Sequence, residues 1–431
     1  MDIIHQKNLP RRTFVIAAIL MIGGLLFVSD RAAPATAQTV INLTNCQTIS
    51  SSGSYRLAND VSGGGWCFSI RASNVTFDGN GKTITSSSGE ALEVAHYSGV
   101  AAANVTISNF SSTGGVRTYG DTVNHVTFEN LTVSDIVVFG SDDVTIRNNT
   151  IGSGGISVND SDNDWHPFRP TITGNNITGL VGHTTKILLE IVGGKFHPCP
   201  RIDAVITGNT VNNYRNDPPP EATAGVRIRC ATHSTFRNNT VRQFGTTIGL
   251  YMRDESDDGL YENNTFWVND QEAIRIASGN DDKSFPARNL FRNNLFRSDT
   301  GLSTYFQGIG ADNRFEYNVF WSGEHGFWNQ NDGNVYDHNT FYVTESSETV
   351  GILGLNEPNA DTWTNNILSV ASGPIFGYDA PWTFSRYIGN HNLFQNRSGS
   401  VSFGNPGGSL AAWRSASGNT DDMNSLEADP L

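Results

Sequence analysis

The sequence predicts an all-β chain wound as a single-stranded parallel β-helix, with three short strands per coil. Two observations predict it. An Asn-centred block recurs about every twenty to thirty residues, the signature of a solenoid. The composition, 44 Gly with only 16 % charged residues, suits short strands joined by turns rather than long helices.

The block reads apolar or aromatic residue, polar residue, Asn or Asn-Asn, Thr or Leu, then Val, Ile or Phe. It centres on Asn130, Asn149, Asn176, Asn209, Asn239, Asn264, Asn294, Asn318, Asn339, Asn366 and Asn392. In the unit from Gly259, Leu260 and then Thr265–Val268 read as two strands flanking Asn263-Asn264. Asn tolerates the left-handed backbone of a sharp bend. Its amide, with donors and an acceptor, can bond from coil to coil in a ladder. A third strand follows in Gly225–Arg229, Gly249–Arg253, Ala273–Ala277 and Gly326–Gln330. Alternation puts Val226, Ile228, Leu250, Met252, Ile274 and Ile276 inside. Units of this length imply about 10–13 coils. Parallel pairing leaves only the two ends of the stack unpaired, and these need caps.

Residues 1–37 read as a secretory signal. Lys7, Arg11 and Arg12 precede an apolar run from Phe14 to Val28, and Ala35-Thr36-Ala37 offers a small-residue cleavage site. Pro10–Val15 is similar to a twin-arginine signal. A membrane anchor is the alternative, but the run is short for one. The expected organisation is then a cap with the first strands over 38–75, the β-helix over 76–400, and a tail or cap over 401–431. The first 37 residues hold four cations and two anions, so the formal −14 of the whole leaves −16 on the rest. A chain this acidic is no general nucleic-acid binder.

Four cysteines in an exported chain suggest disulfides. Cys46 is expected to pair with Cys67. Cys199 and Cys230 lie about one repeat apart and are placed on adjacent coils. A Cys/His metal site with His197 and His233 is the rival, on a spacing that fits no zinc pattern.

Asn74–Ile84 and Asp143–Ile151 resemble repeats of the pectate-lyase-like superfamily. So do the opening segments Cys46–Ser50, Gly53–Leu57 and Cys67–Ile70, and the closing segments Trp413–Gly418 and Asn424–Leu431. The resemblance covers residues 39–431 and implies a right-handed β-helix. Its members include polysaccharide lyases, hydrolases, epimerases and non-catalytic surface proteins, so fold alone does not settle chemistry.

On the third strands the outward positions hold Lys186, Glu190, Arg227, Arg229, Tyr251, Arg253, Arg275, Gln307, Trp328 and Gln330. Coils stack about 4.8 Å apart, so such a stripe spans several sugar units. Guanidinium forks bind carboxylates and sulfates, and aromatic rings stack on pyranoses. Long excursions near Ser161–Pro170, Gly193–Arg201, Asn216–Thr223, Asp254–Asp258 and Gly279–Ala287 flank the stripe. Pairing of these arginines with local acids, Glu190, Asp254, Asp257, Asp258, Glu272, Asp281 and Asp282, is the competing explanation.

Two reactions fit the stripe. In β-elimination a base removes the proton α to a uronate carboxyl while a cation neutralises that carboxylate. By position, Arg253 and Arg275 are the neutralising groups and Lys186 or Lys283 the base. Asp254, Asp281 and Asp282 offer calcium the oxygen ligands it prefers, which the lyases of this superfamily often use. Glu190, Arg227, Arg229, Tyr251, Gln307, Trp328 and Gln330 would hold substrate. Hydrolysis needs two carboxyl groups. Ser278–Asp282 is similar to the Gly-Asp-Asp segment of polygalacturonase-like hydrolases, and Glu324–Gly326 to their Gly-His-Gly. Asn280 interrupts the first, Glu324 replaces a Gly in the second, and no Arg-Ile-Lys follows. His183, His197 and His233 near the same face are further candidates for a general base.

The expectation is an exported enzyme, extracellular or periplasmic, that cleaves an acidic polysaccharide by β-elimination. The alternatives are a hydrolase or a non-catalytic glycan-binding protein on the same scaffold. Acidic polysaccharide is the expected partner, with no nucleic acid and no membrane after signal cleavage. Monomer and homotrimer both suit the fold.

Overall fold

The computed structural model describes residues 39–431 apart from 88, 96–100, 160–168, 180–186, 193–198, 200, 214–223, 244, 246, 278–284, 308–309, 311, 324–325, 331–332, 346–359, 377–386, 405–407, 419 and 429–431. The expected signal therefore lies outside the described residues.

The 38 strands of the described residues form one continuous sheet, coiled so that each strand pairs in parallel with its counterpart one coil away. Three columns result. The first runs through units such as Leu260–Glu262 and Leu290–Arg292, and the second through Thr265–Val268 and Leu295–Ser298. The third runs from Gln47–Ile49 to Phe327–Gln330 without a break in pairing. No helix among the described residues is long and apolar enough to cross a membrane.

Paired asparagines make the bend between the first and second columns, with separate tasks. The first of each pair takes the left-handed conformation: Asn148 at φ 55°, Asn238 at 54°, Asn263 at 56°, Asn293 at 55°. The second turns inward. Asn264 Nδ2 donates to Asn294 Oδ1 at 3.0 Å and to the Phe236 carbonyl at 2.8 Å. The ladder runs Asn149, Asn175, Asn209, Asn239, Asn264, Asn294, Asn318, Asn339, Asn366, Asn392. Two expected centres are thereby corrected. Asn175 replaces Asn176, because Gly174 supplies the left-handed residue (φ 64°) one position earlier. Asn130 is itself the left-handed residue (φ 54°), and the Leu131 amide donates to Asn149 at the head of the ladder. At the other end Asn392 donates to buried Asp422, which also accepts from Tyr387 and Trp413.

Val226, Ile228, Leu250, Met252, Ile274 and Ile276 are buried, as alternation requires. Inside the later coils, rings stack at the rung spacing: Tyr261 on Phe291 at 4.7 Å, Phe291 on Phe315 at 4.7 Å, Phe315 on Tyr336 at 5.0 Å. Helix Leu410–Ala416, capped by Ser409, lays Trp413 on Phe403 at 4.9 Å near the C-terminal end.

Both disulfides form, Cys46 with Cys67 and Cys199 with Cys230, which removes the metal-site alternative for these cysteines. The first closes a loop of sequence separation 21 beside the opening strands. Replacing Cys46 and Cys67 together by Ser is expected to lower unfolding free energy by about 3 kcal/mol in a urea melt.

Candidate functional site

The third column positions the site. Its register aligns Glu190, Arg227, Tyr251, Arg275, Tyr305 and Trp328 in one lane. Two residues further along the same strands, a second lane holds Val192, Arg229, Arg253, Ala277, Gln307 and Gln330. Neighbouring interior positions are buried while the described lane arginines are half-buried, so the two lanes form the outer face. Arg229, Arg253 and Arg275 therefore share one flank of the coil.

Acids engage three of the four arginines. Arg227 pairs with Glu190. Arg229 Nε donates to Asp254, a buried turn residue at φ 53° whose carboxylate folds back over the preceding coil. Arg275 Nη2 donates to Glu272 at 2.6 Å and lies 5.1 Å from the Tyr305 ring centre. The pairing explanation thus holds for these three. Arg253 differs. Among the described residues it has no carboxylate partner, and its guanidinium lies 5.6 Å from the ring centre of Tyr251. Its Nε is buried without a hydrogen bond, as are those of Arg227 and Arg275. Like charge accumulates here: burial, then Arg229 and Arg253, push the Arg227 guanidinium below its ordinary pKa. An incoming anion would relieve that repulsion.

The other expected residues fall as follows. Lys186, Lys283, Asp281, Asp282, His183 and His197 lie outside the described residues. Gln307, Trp328 and Gln330 hold lane positions in their strands. His233 is exposed on the turn that follows the Arg229 strand, with its amide donating to the Asp257 carbonyl at 2.8 Å. Asp254 is paired with Arg229. Among the described residues no group of three or more His, Cys, Asp or Glu side chains is placed to hold a metal ion. The Cys199–Cys230 disulfide ties a loop to the end of the Arg229 strand, where the Cys199 amide donates to Glu255 at 2.7 Å.

Sequence reasoning missed the upstream half of the face. The first lane continues through Glu93, Arg117, Val137 and Ser157 to Glu190. The second continues through Tyr119, Phe139 and Asn159 to Val192. Arg117 lies 3.9 Å over the Trp66 ring and 3.5 Å from Glu90. Burial raises the carboxyl pKa of both Glu90 and Asp135, against the opposing pull of Arg117. The coils of Glu93, Arg117 and Val137 lack the Asn-Asn block that marks the later ones, so their third strands could not be aligned by eye. A separate outer stack on the second column was also missed. There Arg297 lies 4.6 Å from the Trp267 ring centre and 5.3 Å from that of Trp321.

Residues 155–344 match the family model described as the right handed beta helix region. The fold is a right-handed parallel β-helix, and the resemblance drawn from the repeats stands at that level. No curated protein sequence matches the chain. Among solved structures, a double mutant of the periplasmic alginate epimerase AlgG is similar at 10 % identity and TM-score 0.40, covering 91 % of this chain and 84 % of that one. The alginate lyase AlyF-OU02 with G6 is similar at 14 % identity and TM-score 0.35, covering 70 % and 80 %. The A-module of the Azotobacter vinelandii mannuronan C-5 epimerase AlgE6 is similar at 12 % identity and TM-score 0.30, covering 82 % and 83 %. Likenesses this distant do not bear on the reaction.

Proposed function

We propose that the chain is an exported enzyme that acts on an acidic, uronate-bearing polysaccharide and cleaves it by β-elimination. One observation carries the reading: Arg253, without a carboxylate partner among the described residues, stands on an outer face beside Arg229 and Tyr251. The two disulfides suit an extracellular or periplasmic setting.

In the proposed step a uronate carboxylate pairs with Arg253, which makes the adjacent C–H acidic. A base takes that proton. The electron pair forms a ring double bond, the neighbouring glycosidic C–O bond breaks, and the leaving oxygen takes up a proton. Arg227, Arg229 and Arg275, each fixed by an acid, supply directional N–H donors along the chain. Tyr251 packs beside Arg253 and offers its ring to a sugar. Lys186 and Lys283 remain the positional candidates for the base. No step is routed through calcium.

Hydrolysis is the second reading, favoured by the raised carboxyl pKa values of Glu90 and Asp135 on the upstream part of the same stack. Incubation with a panel of polyuronates, alginate included, separates the readings. Ultraviolet absorbance from unsaturated uronate ends is the expected result. New reducing ends without that absorbance would indicate hydrolysis. Binding without cleavage would make the protein a glycan-binding module, and absence of binding would end the reading altogether.

A further inference from the structure

We infer that Tyr119 and Phe139 form an aromatic platform holding the same acidic polysaccharide several sugar units away from Arg253, so that the protein reads long chains. The inference rests on the proposed function. Tyr119 is 52 % exposed on the strand Gly115–Tyr119. Among the described residues the ring beside it is Phe139, which meets it at 6.3 Å and 68° rather than stacking on it.

Three other outer rings among the described residues are occupied. Trp267 has Arg242 at 5.4 Å and Arg297 at 4.6 Å, and Trp321 has Arg297 at 5.3 Å and Tyr342 at 4.6 Å. Exposed Tyr317 is stacked on His338 at 4.8 Å. Single exposed aromatics are ordinary on protein surfaces, but this one lies on the arginine face. Unbroken register takes Tyr119 through Phe139, Asn159, Val192 and Arg229 to Arg253. At about 4.8 Å per step the span is about 24 Å. A polyuronate held at one end by its carboxylates on Arg229 and Arg253 would run along this lane and meet the exposed ring. The flat phenyl face suits a pyranose, whereas a compact anion would gain nothing from it.

The test compares a uronate trimer with the polymer on wild type, Tyr119→Ala and Tyr119→Phe. For Tyr119→Ala the polymer KM should rise about tenfold, the upper end for one ring contact. Its kcat, its KM for the trimer and its melting temperature should stay at wild-type values. Tyr119→Phe, which keeps the ring, should match wild type on both substrates. An unchanged polymer KM in Tyr119→Ala would overturn the inference while leaving the arginine site standing. A wild type that neither binds nor cleaves any polyuronate would remove the underlying reading and this inference together.

Discussion

Arg253→Ala is expected to reduce kcat/KM on a polyuronate by about 10³-fold, the effect of removing one preorganised charge-stabilising donor. Its melting temperature should stay within error of wild type. The expectation of unchanged stability follows from the surroundings. No described acid depends on Arg253, and its buried Nε makes no hydrogen bond, so truncation orphans nothing. Arg275→Ala serves as the contrast. Arg275 holds Glu272, whose second carboxylate oxygen is already without a partner. Removing the guanidinium leaves a buried charge unpaired, so this variant should lose both activity and stability. Steady-state kinetics with a thermal melt on each variant separates the two. Wild-type turnover in Arg253→Ala would show that the chemistry lies elsewhere.

Asn264→Ala is expected to lower the unfolding free energy by about 3–5 kcal/mol without touching the outer face. Asn264 Oδ1 accepts from the Asn239 amide at 2.9 Å and from Asn239 Nδ2 at 3.1 Å. Its Nδ2 donates to the Phe236 carbonyl and to Asn294. Alanine leaves several of these buried groups short of a partner and breaks the ladder between two coils. Asn263→Ala tests a different term. Its φ of 56° strains any residue with a Cβ, and Asn tolerates that better than Ala, so a smaller loss is expected. Urea unfolding of the two variants measures both. Equal stability of Asn264→Ala and wild type would mean that the ladder does not hold the coils together.

The repeat was legible because it is set by local rules. A left-handed bend selects Asn, an inward amide selects a second Asn, and strict alternation buries Leu250 and Met252 while presenting Tyr251 and Arg253. Cysteine spacing of about one repeat was equally readable once the period was known. Where a bend glycine precedes an Asn-Asn pair, as Gly174 does, the apparent centre shifted by one position, whereas after Gly208 the single Asn209 kept its place. The acids available for pairing were legible, Glu190, Asp254 and Glu272 among them, but which arginine each one meets was not, since that depends on how turn residues fold back across coils. Nothing in the order of Arg229 and Asp254 says that Asp254 closes onto the coil before its own. Tyr119 and Phe139 escaped notice for a related reason: only three-dimensional register connects them to Arg253.

The most direct test of the account is a crystal structure of the protein with a bound uronate oligosaccharide. The account predicts a sugar carboxylate within hydrogen-bond reach of the Arg253 guanidinium, with the chain lying along the third column toward Tyr119. An oligosaccharide seated on the Trp267 and Trp321 face, with Arg253 untouched, would contradict it.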